Sequence, residues 1–492
     1  MYPKLTDLKK YQNQYSYVPV AISFTVDDFS AIKLIAHLAQ QKEMAYFSGG
    51  NHALGKFSYF VRPTFSLKLL DGEMTVSSQQ QQRQFQVADP QGYLTELLAK
   101  YRQPLFSKLP PFAGGLIGYF AYEYSQYYQK HLKFHQQDLA KLPDLNLFGC
   151  LNVLAFDHTK RQLMIIQNIA TADLENNYQT AELNLKKQGQ QLKASLRQPL
   201  DLPSFELTDD FKMRFSPVSY AAKVKAAQKQ IVKGEIFQLI MSNPQTGKMR
   251  GSLLPILQQL LVAEPAAYHF YFKQADFCAV AASPETLVTK DRQELAGYPL
   301  AGTRKLTGDR LKDQRRIKEL TTSQKELAEH NMLVDLGRND LGQVSRFGTV
   351  KVVQHAYLEK FETVVHLAST IKSQVDPTKS LLDILAAVFP AGTLSGAPKL
   401  RAIQIIDELE QQKRGLYGGT FGYLSFSGQM DLAIGIRLLY QIGQQLCLQT
   451  GAGIVADSCA DHEYQECCNK ARSMKLAVQA VLQKEAANGT FN

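Results

Sequence analysis

The chain has 492 residues, 45% of them hydrophobic and 20% charged, with a formal net charge of +10, the make-up of a globular protein with room for two to four average domains or one large composite one. No window approaches the roughly 20 apolar residues of a membrane-spanning helix, so no membrane span is expected. Lysine and arginine are scattered, and the densest run (residues 304–316) is broken by Asp309 and Asp313; without a basic stripe and aromatic platforms, nucleic acid is excluded as partner and small anions or an acidic protein account for the charge.

The opening MYPKLTDLKKYQNQYSY carries charges and no apolar core, so no secretory signal is expected and a cytoplasmic enzyme is the expectation. The six cysteines (Cys150, Cys278, Cys447, Cys459, Cys467, Cys468) include no C-x-x-C pair, and they read as free thiols of a reducing compartment. Residues 18–70 alternate β-rich runs (VPVAISFTV, GKFSYFVR, FSLKLL) with a helical pattern over residues 31–41. The glutamine-rich residues 79–86 read as a solvated loop. In FAGGLIGYFAYEY, from Phe112, paired glycines let a strand pass close to another backbone. NVLAFDHTKRQLMIIQN predicts two strands around a turn at Asp157-His158.

Residues 171–199 show apolar positions at helical spacing and predict an amphipathic helix ending at Pro199, with the main boundary between about 200 and 215. From Ser219 onward strands and helices mix without strict βαβ alternation, which predicts an α+β fold with large antiparallel sheets. The expected organisation is an N-terminal region of residues 1–170, a helical connector of residues 171–214 and a catalytic domain of residues 215–485.

Several glycine-bearing segments bear on chemistry. Gly392 to Lys399 (GTLSGAPK) imitates a phosphate loop, but only three residues separate its glycines and Pro398 removes a backbone donor. Gly451-Ala452-Gly453 lacks a third glycine for dinucleotide binding, yet offers a bare backbone whose N–H groups can meet a carboxylate; Gly302-Thr303 and Gly418-Gly419 offer the same approach. Glu326 and Glu329 share a helix face, with His330 beside them. Cys467, Ala471, Met474, Val478 and Val481 form an apolar stripe, with Glu463, Glu466 and Lys470 on a face about 100° round. Facing one another across a pocket, such glutamates would suit Mg²⁺, which keeps waters and takes one or two carboxylates. Glu285 follows the strand FCAVAA, and a strand-end carboxylate in a closed pocket can be raised in pKa and serve as a general acid.

Together these pieces resemble the chorismate-binding enzymes, and within them the anthranilate synthase component I family. The resemblance is carried by GEIFQLIMS (234–242), ASPE (282–285), PLAGTR (299–304), ELAEHNMLVDLGRNDLG (326–342), ETVVHLAS (362–369), GTLSGAPK (392–399), RGLYGGTFGY (414–423), DLAIGIR (431–437), GAGIVADS (451–458) and ECCNKA (466–471). It covers nearly all of residues 215–485, and more loosely the N-terminal part through GKFSYFV, FAGGLIGYFAYE and LAFDH. It implies the chorismate-utilising fold, a large composite α/β sandwich of mostly antiparallel sheets. By the same resemblance Glu329 and Glu466 match magnesium ligands, and Gly451, Ala452 and Gly453 the backbone that holds the ring carboxylate. Tyr417 and Arg437 match the grip on the enolpyruvyl carboxylate, for which a guanidinium fork is suited. Gly302, Thr303, Thr393 and Lys470 match further substrate contacts, Glu285 the acid for the departing 4-hydroxyl, and His366 the histidine of pyruvate elimination. The implied activity is magnesium-dependent amination of chorismate, giving anthranilate and pyruvate. Absence of tryptophan beside 23 tyrosines and 26 phenylalanines suits an enzyme needed when tryptophan is scarce.

Sister activities differ at two positions. Isochorismate and salicylate synthases carry a lysine where this chain has Gln238, and the folate-route aminodeoxychorismate synthase carries one where it has Ala301. Ammonia attacking C2 directly is therefore expected; the alternatives are aminodeoxychorismate synthesis and a non-catalytic chorismate-binding paralogue. With no glutaminase domain recognisable, a separate glutaminase subunit (component II) supplying ammonia, hence a hetero-oligomer, is implied. The family's tryptophan-inhibited members show L-L-E-S and N-P-S-P-Y-M elements, against which this chain keeps Ser48 and, within EPAAYH, Ala267, Tyr268 and His269 as a candidate tryptophan site. The family's glutamate, second proline and methionine are missing, so weak inhibition is expected.

Overall fold

A computed structural model describes residues 1–40, 42–49, 53–129, 131–134, 141–263, 266–360 and 364–489. The sequence-predicted positions Gln41, Glu264, Pro265, Glu362 and Thr363 lie outside them. The described residues form two 12-stranded sheets with helices on their outer faces. The strand pairs described run antiparallel, both in the first sheet and in the second.

Side-chain alternation along the strands sorts residues into layers. In Tyr268–Gln274, Phe270 and Phe272 point between the sheets, where they join Phe47, Tyr59, Phe148, Phe421 and Tyr423. Tyr271, one register off, faces the outer layer with Leu34, Leu185, Leu257 and Met474 from four covering helices. The second sheet is covered in turn by Leu94, Val334, Leu341 and Leu385.

Both sheets take strands from both ends of the chain. Glu43–Ser48 pairs with Tyr268–Gln274, and Gly115–Phe120 pairs with Thr420–Ser425. The second junction shows why glycine is required: a Cβ on Gly115 would lie 2.3 Å from the Leu424 carbonyl oxygen, and on the strand's other side one on Gly118 would lie 2.1 Å from that of Asn146 in Leu145–Cys150.

The predicted hairpin is present as Asn152–Asp157 and Gln162–Ala170, its turn held by Asp157 Oδ1 accepting from the Thr159 and Lys160 N–H groups at 2.9 Å. The amphipathic helix is Leu174–Leu196. The connector is not wholly helical, because Phe205–Met213 forms an edge strand. The glutamine-rich stretch also departs from expectation. Gln82–Gln86 is a strand, exposed throughout, paired to Glu73–Ser78; backbone pairing suffices there, and glutamine side chains are left in solvent. Asp309, which interrupts the basic run, caps helix Arg310–Thr322 by accepting from the Leu311 and Lys312 N–H groups.

Four of the cysteines (Cys150, Cys278, Cys447, Cys467) are buried, and all six are free. No helix among the described residues is long and apolar enough to cross a membrane.

Candidate active site

Strand Phe277–Ser283 carries Glu285 just past its end. Ser283 fixes that end by donating its hydroxyl to the Ile434 carbonyl at 2.8 Å, and the Ile434 N–H donates back to the Glu285 carbonyl at 3.0 Å. The Glu285 side chain accepts a 2.9 Å hydrogen bond from the Thr393 hydroxyl, which stands on the short helix Gly392–Leu394. Burial pushes the Glu285 carboxyl up to about 7, against the opposing Thr393 hydrogen bond and the charges of Lys470 and Arg437. Half protonated near neutrality, it is poised to give a proton.

Gly451, Ala452 and Gly453 lie in strand Gln445–Ile454, opposite Ser242, Met241 and Ile240. A Cβ on Gly451 would fall 2.6 Å from the Tyr417 hydroxyl and 2.9 Å from the Met241 carbonyl, so glycine is what lets the tyrosine reach this backbone. Lys470 donates to the Gly451 carbonyl at 2.9 Å and pairs with Glu466 at 2.7 Å. Arg437 adopts φ +47, a left-handed conformation uncommon outside glycine. Its charge acts on both Glu285 and His366.

Thr303 stands opposite His366 in the pair Leu300–Lys305 with Val364–Gln374, and its hydroxyl is 3.0 Å from His366 Nδ1. Burial, then the nearby Arg437 cation, push His366 down to about 4. The imidazole is thus neutral at physiological pH, a base rather than an acid. Gly302 has φ +56, and a Cβ there would come within 2.7 Å of the Glu326 carboxylate and of Leu320. Glu326 itself pairs with Arg304 at 3.0 Å. His330, which the sequence places beside it, is buried and bonded to Ser369 at 2.6 Å, turned into the packing layer.

Helix Gln324–Gly342 begins at Ser323, whose hydroxyl accepts from the Glu326 N–H, and it carries Glu329. The apolar stripe from Cys467 to Val481 is buried as the spacing predicts; on helix Ala460–Gly489 the Glu466 charge acts on Glu329, and the Lys325 charge reaches both Glu329 and Glu463. Burial raises Glu329, with Glu326, Glu466 and Asp457 adding repulsion and Lys325 opposing. Burial likewise raises Glu463, with Glu466 adding to it. Among the described residues no group of three His, Cys, Asp or Glu is gathered tightly enough to enclose a metal. Two half-exposed, mutually repelling carboxylates, Glu329 and Glu466, could instead hold a hard divalent cation that keeps waters and takes its remaining oxygens from a ligand.

The four remaining candidates lie on or beside the strand pair Glu43–Ser48 with Tyr268–Gln274. Ser48 accepts the His269 N–H at 3.1 Å across the strand pair. Ala267 is buried, and the Tyr268 hydroxyl donates to buried Asp431 at 2.9 Å and meets Thr286 at 2.9 Å.

Sequence reasoning passed over two buried polar residues, Arg414 and Asp431. Arg414, 2% exposed, gives its guanidinium to Glu410 at 2.6 and 2.8 Å and to the carbonyls of Leu394 (2.6 Å) and Ile240 (2.7 Å). It also lies over the rings of Tyr122 and Tyr417 at 4.7 and 5.6 Å. It thereby ties Thr393's neighbour, the strand facing Gly453, and Tyr417 into one frame. Asp431, the other, accepts from the Tyr268 hydroxyl at 2.9 Å; an acid inside the buried apolar strand Met430–Ile434 is the signal that could have found it.

The family model for chorismate binding enzymes matches residues 44–476. Anthranilate synthase component 1 of Acetivibrio thermocellus is 32% identical, with 97% of this chain and 98% of that protein covered. Among solved structures, anthranilate synthase component I from Streptococcus pneumoniae superposes with a TM-score of 0.76 at 32% identity, over 92% of this chain and 98% of that one. The menaquinone-specific isochorismate synthase of Escherichia coli shares the fold, with a TM-score of 0.69 at 19% identity over 96% and 98% of the two chains.

Proposed function

This chain belongs to the chorismate binding enzymes and, within them, to the anthranilate synthase component 1 proteins, and from that premise we propose that it aminates chorismate at C2 and releases pyruvate to give anthranilate, the entry to tryptophan biosynthesis. The observation that carries the mechanism is Glu285. A carboxyl with pKa about 7, held by Thr393 within reach of the charges of Lys470 and Arg437, is an acid matched to a poor hydroxide leaving group.

Chorismate is a dicarboxylate. Arg437 and Tyr417 grip its enolpyruvyl carboxylate, while the backbone of Gly451 to Gly453, with Thr303, Gly302 and Lys470 around it, orients the ring carboxylate. Glu285 gives its proton to the 4-hydroxyl, which departs as water while ammonia bonds to C2. His366, held by Thr303 and neutral, takes the C2 proton as the enolpyruvyl group leaves and the ring becomes aromatic. Magnesium, bound by Glu329 and Glu466, would supply positive charge at the ring carboxylate.

Amination by free ammonia is supported by Gln238 and Ala301, since neither can act as the lysine base or covalent lysine of the sister reactions. The relatives' designation as component 1 supports a second component, which we assign as a glutaminase subunit delivering ammonia in the cytoplasm. The purified chain given chorismate, Mg²⁺ and ammonium at high pH should produce anthranilate fluorescence, with glutamine serving only when the partner is added. Isochorismate or aminodeoxychorismate as the sole product would overturn the assignment.

A further inference from the structure

Behind Glu285 lies a cavity of about 70 Å³. Its walls are mostly apolar, with Leu333, Leu336, Ile371 and Val388 among them, and among the described residues Glu285 and Asp340 are the charged side chains that line it. The volume is enough for about two waters, each occupying roughly 30 Å³ in the liquid. Glu285 and Thr393, bonded to each other, and Asp340 are among the polar side chains on its walls.

Asp340 sits in the last turn of helix Gln324–Gly342 and is paired at 2.8 Å with Lys399, which also donates to the Val388 carbonyl at 3.3 Å. The acid is 7% exposed, and the lysine side chain 14%. The pair thus lines the cavity while keeping slight contact with bulk water. Lys470 and Arg437 face Glu285, while Lys399 and Tyr128 are the charged and titratable groups nearest Asp340. Burial raises Asp340 and Lys399 opposes it, so the carboxylate accepts a proton more readily than a solvated one.

The reaction proposed above leaves a task undone. When the C4–O bond breaks, the Glu285 proton goes to the departing oxygen and leaves as water, so the acid ends each turnover as a carboxylate. The ammonium formed at C2 returns a proton to solvent, so the overall count balances, but on a different side of the substrate. We propose that this cavity holds the water that reconnects Glu285 to solvent through Asp340, making Asp340 a positioning residue for recharging the acid. The inference rests on Glu285 being the general acid.

Rapid-quench measurement of the full chain with chorismate, Mg²⁺ and saturating ammonium tests it. In Asp340→Asn, assayed at about pH 6, where Glu285 with its pKa of about 7 starts mostly protonated, the first turnover should keep its rate, while later turnovers slow by about 100-fold, the lower end of what a positioned proton donor contributes. The trace would show a burst approaching one product per site. Leu333→Phe, which fills the cavity and leaves the ion pair intact, should give the same burst and serves if Asp340→Asn does not fold. First and later turnovers falling together in the folded variants, or neither falling, would overturn the proposal while leaving the acid in place. Glu285→Gln separates the two readings: its first turnover must be lost, and an undiminished first turnover would remove the acid assignment and this inference with it.

Discussion

Glu285→Gln keeps the acceptor to which Thr393 donates but removes the ionisable proton, and the site's electrostatics give the sign and size of the consequence. Burial lifts the carboxyl from its ordinary 4.5 to about 7, so the folded state binds this proton more tightly than the unfolded state does. The stabilisation is fully present below pH 4.5 and is lost as pH rises through 7. A tenfold change in proton affinity is worth about 1.4 kcal/mol, so the wild type loses up to about 3 kcal/mol from this group between pH 4.5 and 8. Glutamine has no such loss. The stability difference between variant and wild type, read from urea unfolding at successive pH values, should therefore climb by about 2–3 kcal/mol in the variant's favour from pH 4.5 to 8, while anthranilate formation is abolished. A difference that stays flat over that range would refute the claim that the acid is held protonated by burial.

Glu329→Ala and Glu466→Ala should each abolish activity yet change stability by less than about 0.5 kcal/mol, since both are half-exposed and removing one relieves repulsion on its neighbours; full activity at ordinary Mg²⁺ would remove the metal assignment. Gly451→Ala forces a Cβ against the Tyr417 hydroxyl and the Met241 carbonyl, which should cost about 1–3 kcal/mol as overpacking does and raise KM for chorismate; an unchanged KM would show that Tyr417 does not need this approach. His366→Ala should still consume chorismate but accumulate the aminated, pyruvyl-bearing intermediate by chromatography, and consumption falling in step with product would contradict that division of labour. L-Tryptophan should inhibit weakly, because Tyr268 is committed to Asp431 and Thr286 and the family's glutamate is absent. A missing acceptor for the ligand ammonium costs about 1–3 kcal/mol, or roughly 5- to 150-fold in affinity, and half-inhibition at low micromolar tryptophan would refute it.

What could be read from the sequence follows from the range of the interactions involved. The hairpin at Asp157-His158 and the stripe from Cys467 to Val481 are local patterns of period 2 and 3.6, and both stand as read. Gln82–Gln86 was not legible as a strand because what makes it one is hydrogen bonding to Glu73–Ser78, and edge pairing places no demand on side-chain hydrophobicity. The joining of Glu43–Ser48 to Tyr268–Gln274 was equally hidden. Strand order over more than two hundred residues depends on which faces meet in three dimensions, and alternation within each strand cannot specify its neighbour.

The candidate site was legible where residues break local rules. Gly302 and Gly451 lie at points where a Cβ would collide with a carboxylate or a hydroxyl, and Arg437 holds a left-handed backbone that an ordinary strand end would give to glycine. Glu285, Glu329 and Glu463 are all raised by burial; each costs stability when ionised, and a protein selected for stability alone would replace them. Arg414 is the opposite case, which is why sequence reasoning passed over it. Its donors are taken up by Glu410 and by backbone carbonyls, and those partners come from segments separated by as many as 174 positions. Nothing in RGLYGG distinguishes a guanidinium locked in the core from one in water. Chemistry that strains the chain leaves a mark in residue type, whereas the frame that holds this strain is written in contacts.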